Sequence, residues 1–293
     1  MRRFGVLLGR GRDQDADDGF DREAHVLQSL GVPFEEICLD DVVHDLHEHA
    51  LRHLPRGRGR AWLYRGWMLP EEDYAGLYEA VLDRGDRLVV HPTQFAQATY
   101  LPEWAPLLGD RTPASIWTEG EDIDEAWELA RDLGPPPWLI KDHVKSARQM
   151  WDRACFVPAG ADRERFGEIC QGLLDFHEDR FQRGFVVRRF VELLPLPYRT
   201  QGHPVFDEHR IVFWKGRPVA HAPYHDIDDV EPLDRVPFPE LGRLVDSPFF
   251  TADVARLAKG GFVVVELNDG GCSALPAQLD PWALYGAMLD DPP

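Results

Sequence analysis

Apolar residues along this chain come in short runs, and the spacing between them alternates between a strand-like and a helix-like period. FGVLL at 4–8 reads as a first buried strand, followed by a polar loop and a helix around 20–30. FEEICL at 34–39 reads as a second strand, with a helical stretch near 41–54 after it. AWLYRG at 61–66 is a third strand, EEDYAGLYEAVLDRG a helix, and RLVVHP at 87–92 a fourth strand. Strand alternating with helix over roughly the first 110 residues predicts a small, mostly parallel α/β unit.

The pattern then changes. A helix over 121–133 is stopped by Gly134 and three prolines. WLIKD is extended, ACFVP is its expected hairpin partner, and another helix covers about 162–181. The remainder is strand-rich: GFVVRRFVEL, EHRIVFWKG, RPVAHAPY, FFTADVARL and FVVVELN, with a helical piece near 239–245 and a closing helix in DPWALYGAML. Lys259, Gly260 and Gly261 suit a hairpin turn, the glycines supplying positive φ. The expectation is an α/β N-terminal domain over 1–112, then an α+β region with an antiparallel sheet, divided into 113–184 and 185–293. No internal repeat or low-complexity segment is present.

Composition narrows the function. Of 293 residues, 44% are hydrophobic and 11% aromatic, so the chain can build a core. The formal net charge of −19 disfavours general binding to nucleic acid or anionic membranes. Any phosphate site must therefore gather its own cations. Cys38, Cys155, Cys170 and Cys272 form no C-x-x-C pair and fit a reducing compartment. The apolar run at 4–8 is too short for a signal peptide, and no stretch approaches a transmembrane length. A soluble cytoplasmic protein is expected, with small-molecule or peptide partners; its oligomeric state stays open.

The chemistry-bearing residues lie mostly at strand ends. In VVVELNDGG, Glu266 and Asn268 share one face while Leu267 points to the other. Two hard oxygens on one face suit Mg²⁺, which leaves its other positions to water and phosphate. Asp253, thirteen positions before Glu266, falls on the preceding strand and can join them if the Lys259–Gly261 turn closes a hairpin. A solvated polar strand end is the plain alternative. Lys141 follows the apolar WLI, and Lys145, Ser146 and Arg148 follow in a loop able to fold over a phosphate chain. Arg188 and Arg189 are adjacent in a strand, so at least one faces inward or sideways. Arg210, beside Glu208, places an always-charged fork at a strand start.

Taken in order, LIKDHVKS, VVRRFVEL, DEHRIVFWKGRPVA, and ADV followed by VVVELNDGG resemble the ATP-grasp superfamily of carboxylate–amine ligases. The similarity is greatest to the clade named for two arginines and a lysine, and it covers roughly 137–275. The resemblance implies an ATP-grasp domain, with 1–112 as the domain that precedes it. It implies that Lys141 meets the α-phosphate and adenine side, and that Lys145 and Ser146 form a phosphate-covering loop. Arg189, Phe190, Val191 and Glu192 would be the hinge against adenine, with Glu208 also on the nucleotide and Arg188 reaching into the site. Arg210 would hold the γ-phosphate or acyl phosphate, and Asp253, Glu266 and Asn268 would bind Mg²⁺. One departure is that 142–152 contains no glycine, although many covering loops are glycine-rich.

The implied reaction is an ATP- and Mg²⁺-dependent ligation through an acyl phosphate, releasing ADP and phosphate. A kinase on the same scaffold would share every nucleotide residue, and a non-catalytic nucleotide-binding module stays a third reading. His44, His47, His49 and His53 lack a metal motif and read as an exposed helical face. The DQDADDG loop lacks the closing glutamate of a calcium loop. His221, His225, Arg65 and Tyr100 are weak candidates for the acceptor side of a cleft. Arg56, Arg58 and Arg60 read as a solvated loop.

Overall fold

The computed structural model describes residues 4–11, 20–200, 203–227 and 230–293. The DQDADDG segment lies outside them. The chain divides into two compact units. The first comprises Met1–Ala98, His209–Asp253 and Leu267–Pro293, the second Thr99–Glu208 and Val254–Glu266. The chain thus passes between units four times, after Ala98, Glu208, Asp253 and Glu266.

In the first unit, β1 (Phe4–Arg10), β2 (Phe34–Cys38), β3 (Ala61–Arg65) and β4 (Arg87–Leu88) form a parallel sheet in the order β2-β1-β3-β4. β1 and β3 are buried along nearly their whole length, as interior strands of a parallel sheet are. Helix α1 (Asp21–Leu30) links β1 to β2 and ends at Gly31, whose φ of 62° gives the left-handed cap that glycine provides. The expected helix over 41–54 is reduced to α2 (Leu39–Val42) and α3 (His47–Ala50), separated where Asp45 takes a φ of 58°. Helix α4 (Glu71–Asp83) carries three acidic residues in its first turn, favourable against the helix dipole. The fourth strand stops at Leu88, and α5 (Pro92–Thr99) follows it.

The second unit opens with α6 (Leu101–Leu108) and the short β5 (Ser115–Trp117). Then come α7 (Ile123–Ala130), β6 (Trp138–Asp142), β7 (Phe156–Val157), α8 (Arg163–His177) and β8 (Phe185–Arg189). The sheet is antiparallel in the order β5-β8-β6-β7, so WLIKD pairs with FVVRR as well as with its expected hairpin partner. Trp127 on α7, Trp138 on β6 and Phe166 on α8 meet edge to face at 5.2–6.0 Å and tie both helices to the sheet. Gly172 on α8 is required by close approach: a Cβ there would lie 2.1 Å from the Arg153 carbonyl oxygen. Two further strands, β9 (Pro195–Thr200) and β10 (His203–Phe206), pair as a separate antiparallel ribbon.

The last part contains β11 (Glu208–Trp214), β12 (Arg217–Pro223), α9 (Leu241–Leu244), β13 (Phe249–Arg256), β14 (Phe262–Asp269) and α10 (Pro281–Asp290). The strands form a sheet in the order β12-β11-β13-β14. Lys215 and Gly216 make the β11–β12 turn with φ of 46° and 78°, the positive pair a tight hairpin needs. Gly260 and Gly261 turn β13 into β14 with φ of 89° and 82°, as the sequence predicts. In the first unit, Val212, Trp214 and Phe249 share one core with the parallel sheet and with Leu284, Tyr285 and Met288 of α10. Among the described residues, no helix is long and apolar enough to cross a membrane.

Candidate functional site

Within the second unit, Lys141 lies near the end of β6 between buried neighbours. Its Nζ donates to the Val144 carbonyl at 2.6 Å and stands 3.7 Å from Glu266 Oε1. Burial pushes the Lys141 ammonium down to about 8, while Glu266 and Asp142 pull it back up and Arg188 and Lys145 add to the fall. The glycine-free loop after Lys141 is shaped by Asp142. That carboxylate accepts the Val144 N–H at 2.6 Å and the Lys145 N–H through one oxygen, and the Gln182 N–H at 3.1 Å through the other. A side-chain turn of this kind replaces the conformational freedom that glycine would give. Lys145 is exposed and Ser146 half-buried. Arg148, also exposed, reaches to 3.9 Å from the buried Glu208.

Arg188 is buried, and burial pushes its guanidinium down to about 10. It donates to the carbonyls of Val265 at 2.5 Å and Val264 at 3.2 Å, and to the Thr112 hydroxyl. It therefore braces the β14 backbone immediately before Glu266. Arg189, on the other face of β8, is exposed and donates to the Leu133 carbonyl at 2.7 Å. Phe190, Val191 and Glu192 continue beyond β8 in irregular chain. Phe190 meets Phe156 edge to face at 5.3 Å, and the Glu192 carbonyl accepts the Ala258 N–H at 2.9 Å.

Within the first unit, Arg210 on β11 and Asp253 on β13 make a two-pronged ion pair. Nε to Oδ1 is 2.8 Å and Nη2 to Oδ2 is 2.7 Å. The third guanidinium nitrogen donates to the Ala274 carbonyl at 2.8 Å, and the plane lies 4.9 Å from the Tyr224 ring centroid. Asn268 is buried, and its Oδ1 has no hydrogen-bond partner among the described residues. An orphaned, inward amide oxygen is what a hard cation requires, so this part of the expected donor set fits Mg²⁺. Both oxygens of Asp253 are held by Arg210, a relation that nothing in the linear pattern announces. Next along the strand, burial pushes the Asp269 carboxyl up to about 7 against the Gly271 N–H and Arg65, which draw it down.

Arg65 belongs to the interior. It is fully buried, and it grips Glu23 on α1 at 2.8 and 2.5 Å. Its remaining nitrogen donates to the Gly270 carbonyl and, at 2.9 Å, to the Ser273 carbonyl. Tyr285 on α10 donates to the same glutamate. This network pins the turn after Asn268 and Asp269 to β3, and the Gly66 N–H adds a bond to the Gly271 carbonyl at 3.0 Å. The acceptor-side reading of Arg65 is therefore replaced by a positioning one. Glu23 and Tyr285, which complete the clamp, carry no motif that could have marked them.

Tyr100 is also buried, under the Arg183 guanidinium at 3.7 Å. His225 is half-buried beside Tyr224, and His221 is exposed. Arg60 departs from the solvated-loop reading, being buried over Trp62, while the exposed Arg56 pairs with Glu48 at 2.9 Å. His49 contacts Asp41 at 2.6 Å, and His47 packs against Gly76. Among the described residues, no three His, Cys, Asp or Glu side chains converge as a metal cluster.

Compared with known proteins, the ATP-grasp domain, R2K clade family 3, matches residues 132–288, more than half of the chain. The chain belongs to the ATP-grasp family. Solved ATP-grasp structures share its fold over nearly the full length. The D-cycloserine synthetase DcsG superposes with a TM-score of 0.60 at 14% identity, covering 97% of this chain and 99% of that one. The ATP-grasp ligase PsnB, solved with the precursor peptide PsnA2 and AMPPNP, gives 0.57 at 12% identity, covering 99% and 98%. A RimK domain ATP-grasp protein from Sphaerobacter thermophilus gives 0.55 at 15% identity, covering 97% and 95%. At such identities the likeness carries the ATP-grasp fold and no substrate. No curated protein matches the chain by sequence.

Proposed function

We propose that this ATP-grasp protein is a ligase that joins a carboxylate to an amine through an acyl phosphate, using ATP and Mg²⁺ and releasing ADP and phosphate. The supporting observation is a pairing found in each unit taken by itself. Lys141 faces Glu266 in one, and Arg210 grips Asp253 in the other. In both, a cation suited to phosphate stands against a carboxylate suited to magnesium.

Lys141, Lys145 and Ser146 would neutralise and cover the nucleotide phosphates, Arg189, Phe190, Val191 and Glu192 would form the hinge at the adenine edge, and Glu208 would also lie on the nucleotide. Arg188 would hold the Val264–Val265 backbone so that Glu266 keeps its aim, and Arg210 would take the transferred phosphoryl group. Asp253, Glu266 and Asn268 would hold magnesium, whose contribution is to offset the charge on the phosphate oxygens. Chemistry of this kind rests on positioning and charge and requires no covalent nucleophile. Four cysteines that form no disulfide support a reducing, cytoplasmic setting. The PsnB and DcsG structures support a peptide or small-molecule substrate class.

Calorimetric titration with a non-hydrolysable ATP analogue, with and without Mg²⁺, tests the reading. Magnesium-dependent binding that weakens in Glu266→Gln and Asn268→Ala is expected. Absence of binding to folded native protein at millimolar nucleotide would sink it. Product analysis then separates the chemistries: free phosphate with a new amide marks the ligase, and a stable phosphoester marks a kinase.

A further inference from the structure

Both oxygens of Asp253 are engaged by Arg210, and the carboxylate is 1% exposed. The edge of the carboxylate turned toward Arg210 is filled by those two N–H groups, so a metal ion that takes this edge must displace them. The same two N–H groups are the edge of the fork that a phosphate would use. Each partner therefore fills the edge that the ligand of the other would use. Withdrawing one member alone leaves a charge where water scarcely reaches, an arrangement far worse than either the intact pair or a full exchange.

Resting on the ligase reading above, we propose that the Arg210–Asp253 fork is a latch that exchanges partners. Asp253 passes to the divalent metal as Arg210 passes to the nucleotide phosphate, so that metal and nucleotide enter together and neither binds well alone. Arg210 can change partners without leaving its place. The Ala274 carbonyl and the Tyr224 ring hold it through contacts that Asp253 does not share. Asn268, in the same unit, already offers an oxygen with no donor among the described residues. The exchange is wholly non-covalent and conserves charge.

Metal and nucleotide also associate in free solution, so the decisive titration uses Mn²⁺ alone, followed by the paramagnetic signal of the free ion. In the native protein Mn²⁺ alone binds weakly. Arg210→Gln frees Asp253 and tightens Mn²⁺ alone by about tenfold or more, a gain that Asp253→Asn in the same background removes. The same Arg210→Gln protein binds AMPPNP with Mn²⁺ at least about tenfold more weakly than the native protein. Opposite signs in one variant separate exchange from simple damage, which would weaken both.

If Arg210→Gln does not fold, Arg210→Lys keeps the charge without the planar fork, and Mn²⁺ alone should then bind several-fold tighter. Unchanged Mn²⁺ affinity in a folded Arg210 variant, with native protein that binds Mn²⁺–AMPPNP, overturns the latch and leaves the ligase reading standing. Native protein that fails to bind Mn²⁺–AMPPNP overturns the ligase reading and the latch with it.

Discussion

Two ion pairs, one in each unit, solve the same problem with different tightness. Arg210 and Asp253 meet through two hydrogen bonds of 2.8 and 2.7 Å, with side chains 9% and 1% exposed. Lys141 and Glu266 stand 3.7 Å apart, and Glu266 is 19% exposed. A planar guanidinium matches a carboxylate edge to edge and keeps its proton, whereas an ammonium is a point charge that burial can deprotonate. The first pair is therefore a closed fork that must be opened. The second is a loose contact, already short of full neutralisation.

The comparison breaks most visibly in stability. Asp253→Ala removes the carboxylate that meets the buried Arg210 through two hydrogen bonds and should cost about 3–5 kcal/mol in urea unfolding. A loss below about 1 kcal/mol would mean that water reaches the guanidinium and the fork is no closed pair.

A second test uses pH. Burial pushes Lys141 down to about 8 from 10.5, so between those values the unfolded chain carries more protons than the folded one. By linkage, the Lys141 contribution to stability rises with pH across that window, as the cost of a buried ammonium is relieved. Nucleotide binding, which needs the charge, moves oppositely: affinity should fall by up to about tenfold per pH unit above 8. Lys141→Arg should flatten the profile. A native profile that is flat from pH 7 to 10 would remove Lys141 from the phosphate site.

The smallest effect is expected at the loose pair. Glu266→Gln should change stability by less than about 1 kcal/mol, because the contact is long and partly solvated. It should nevertheless reduce magnesium-dependent nucleotide binding. A large stability loss would make Glu266 a structural partner of Lys141 before anything else.

Legibility in the sequence followed how local each cause was. FGVLL, AWLYR and WLIKD announced strands because a buried strand needs little beyond its own apolar run. The Gly260–Gly261 turn was legible because positive φ selects glycine within a few residues. The helices over 92–99 and 101–108 were not predicted; Pro92 and Pro102 each stand in a first turn, where the missing N–H costs nothing. The β9–β10 ribbon was hidden for a related reason, since Pro195 and Pro197 argue against a strand in sequence yet are tolerated where no neighbour needs their N–H.

The candidate site divides along the same line. By itself the sequence determined which residues could carry the chemistry and in what order: Lys141, Arg188, Arg210, Asp253, then Glu266 and Asn268. That order placed the chain with the ATP-grasp family. Only the tertiary structure decided which of them hold one another. Arg210 and Asp253 are 43 positions apart, and Arg65 reaches Glu23 across 42 and Gly270 across 205. An ion pair depends on the distance and solvent exposure of two groups in space. Neither quantity exists until the strands that carry them have packed.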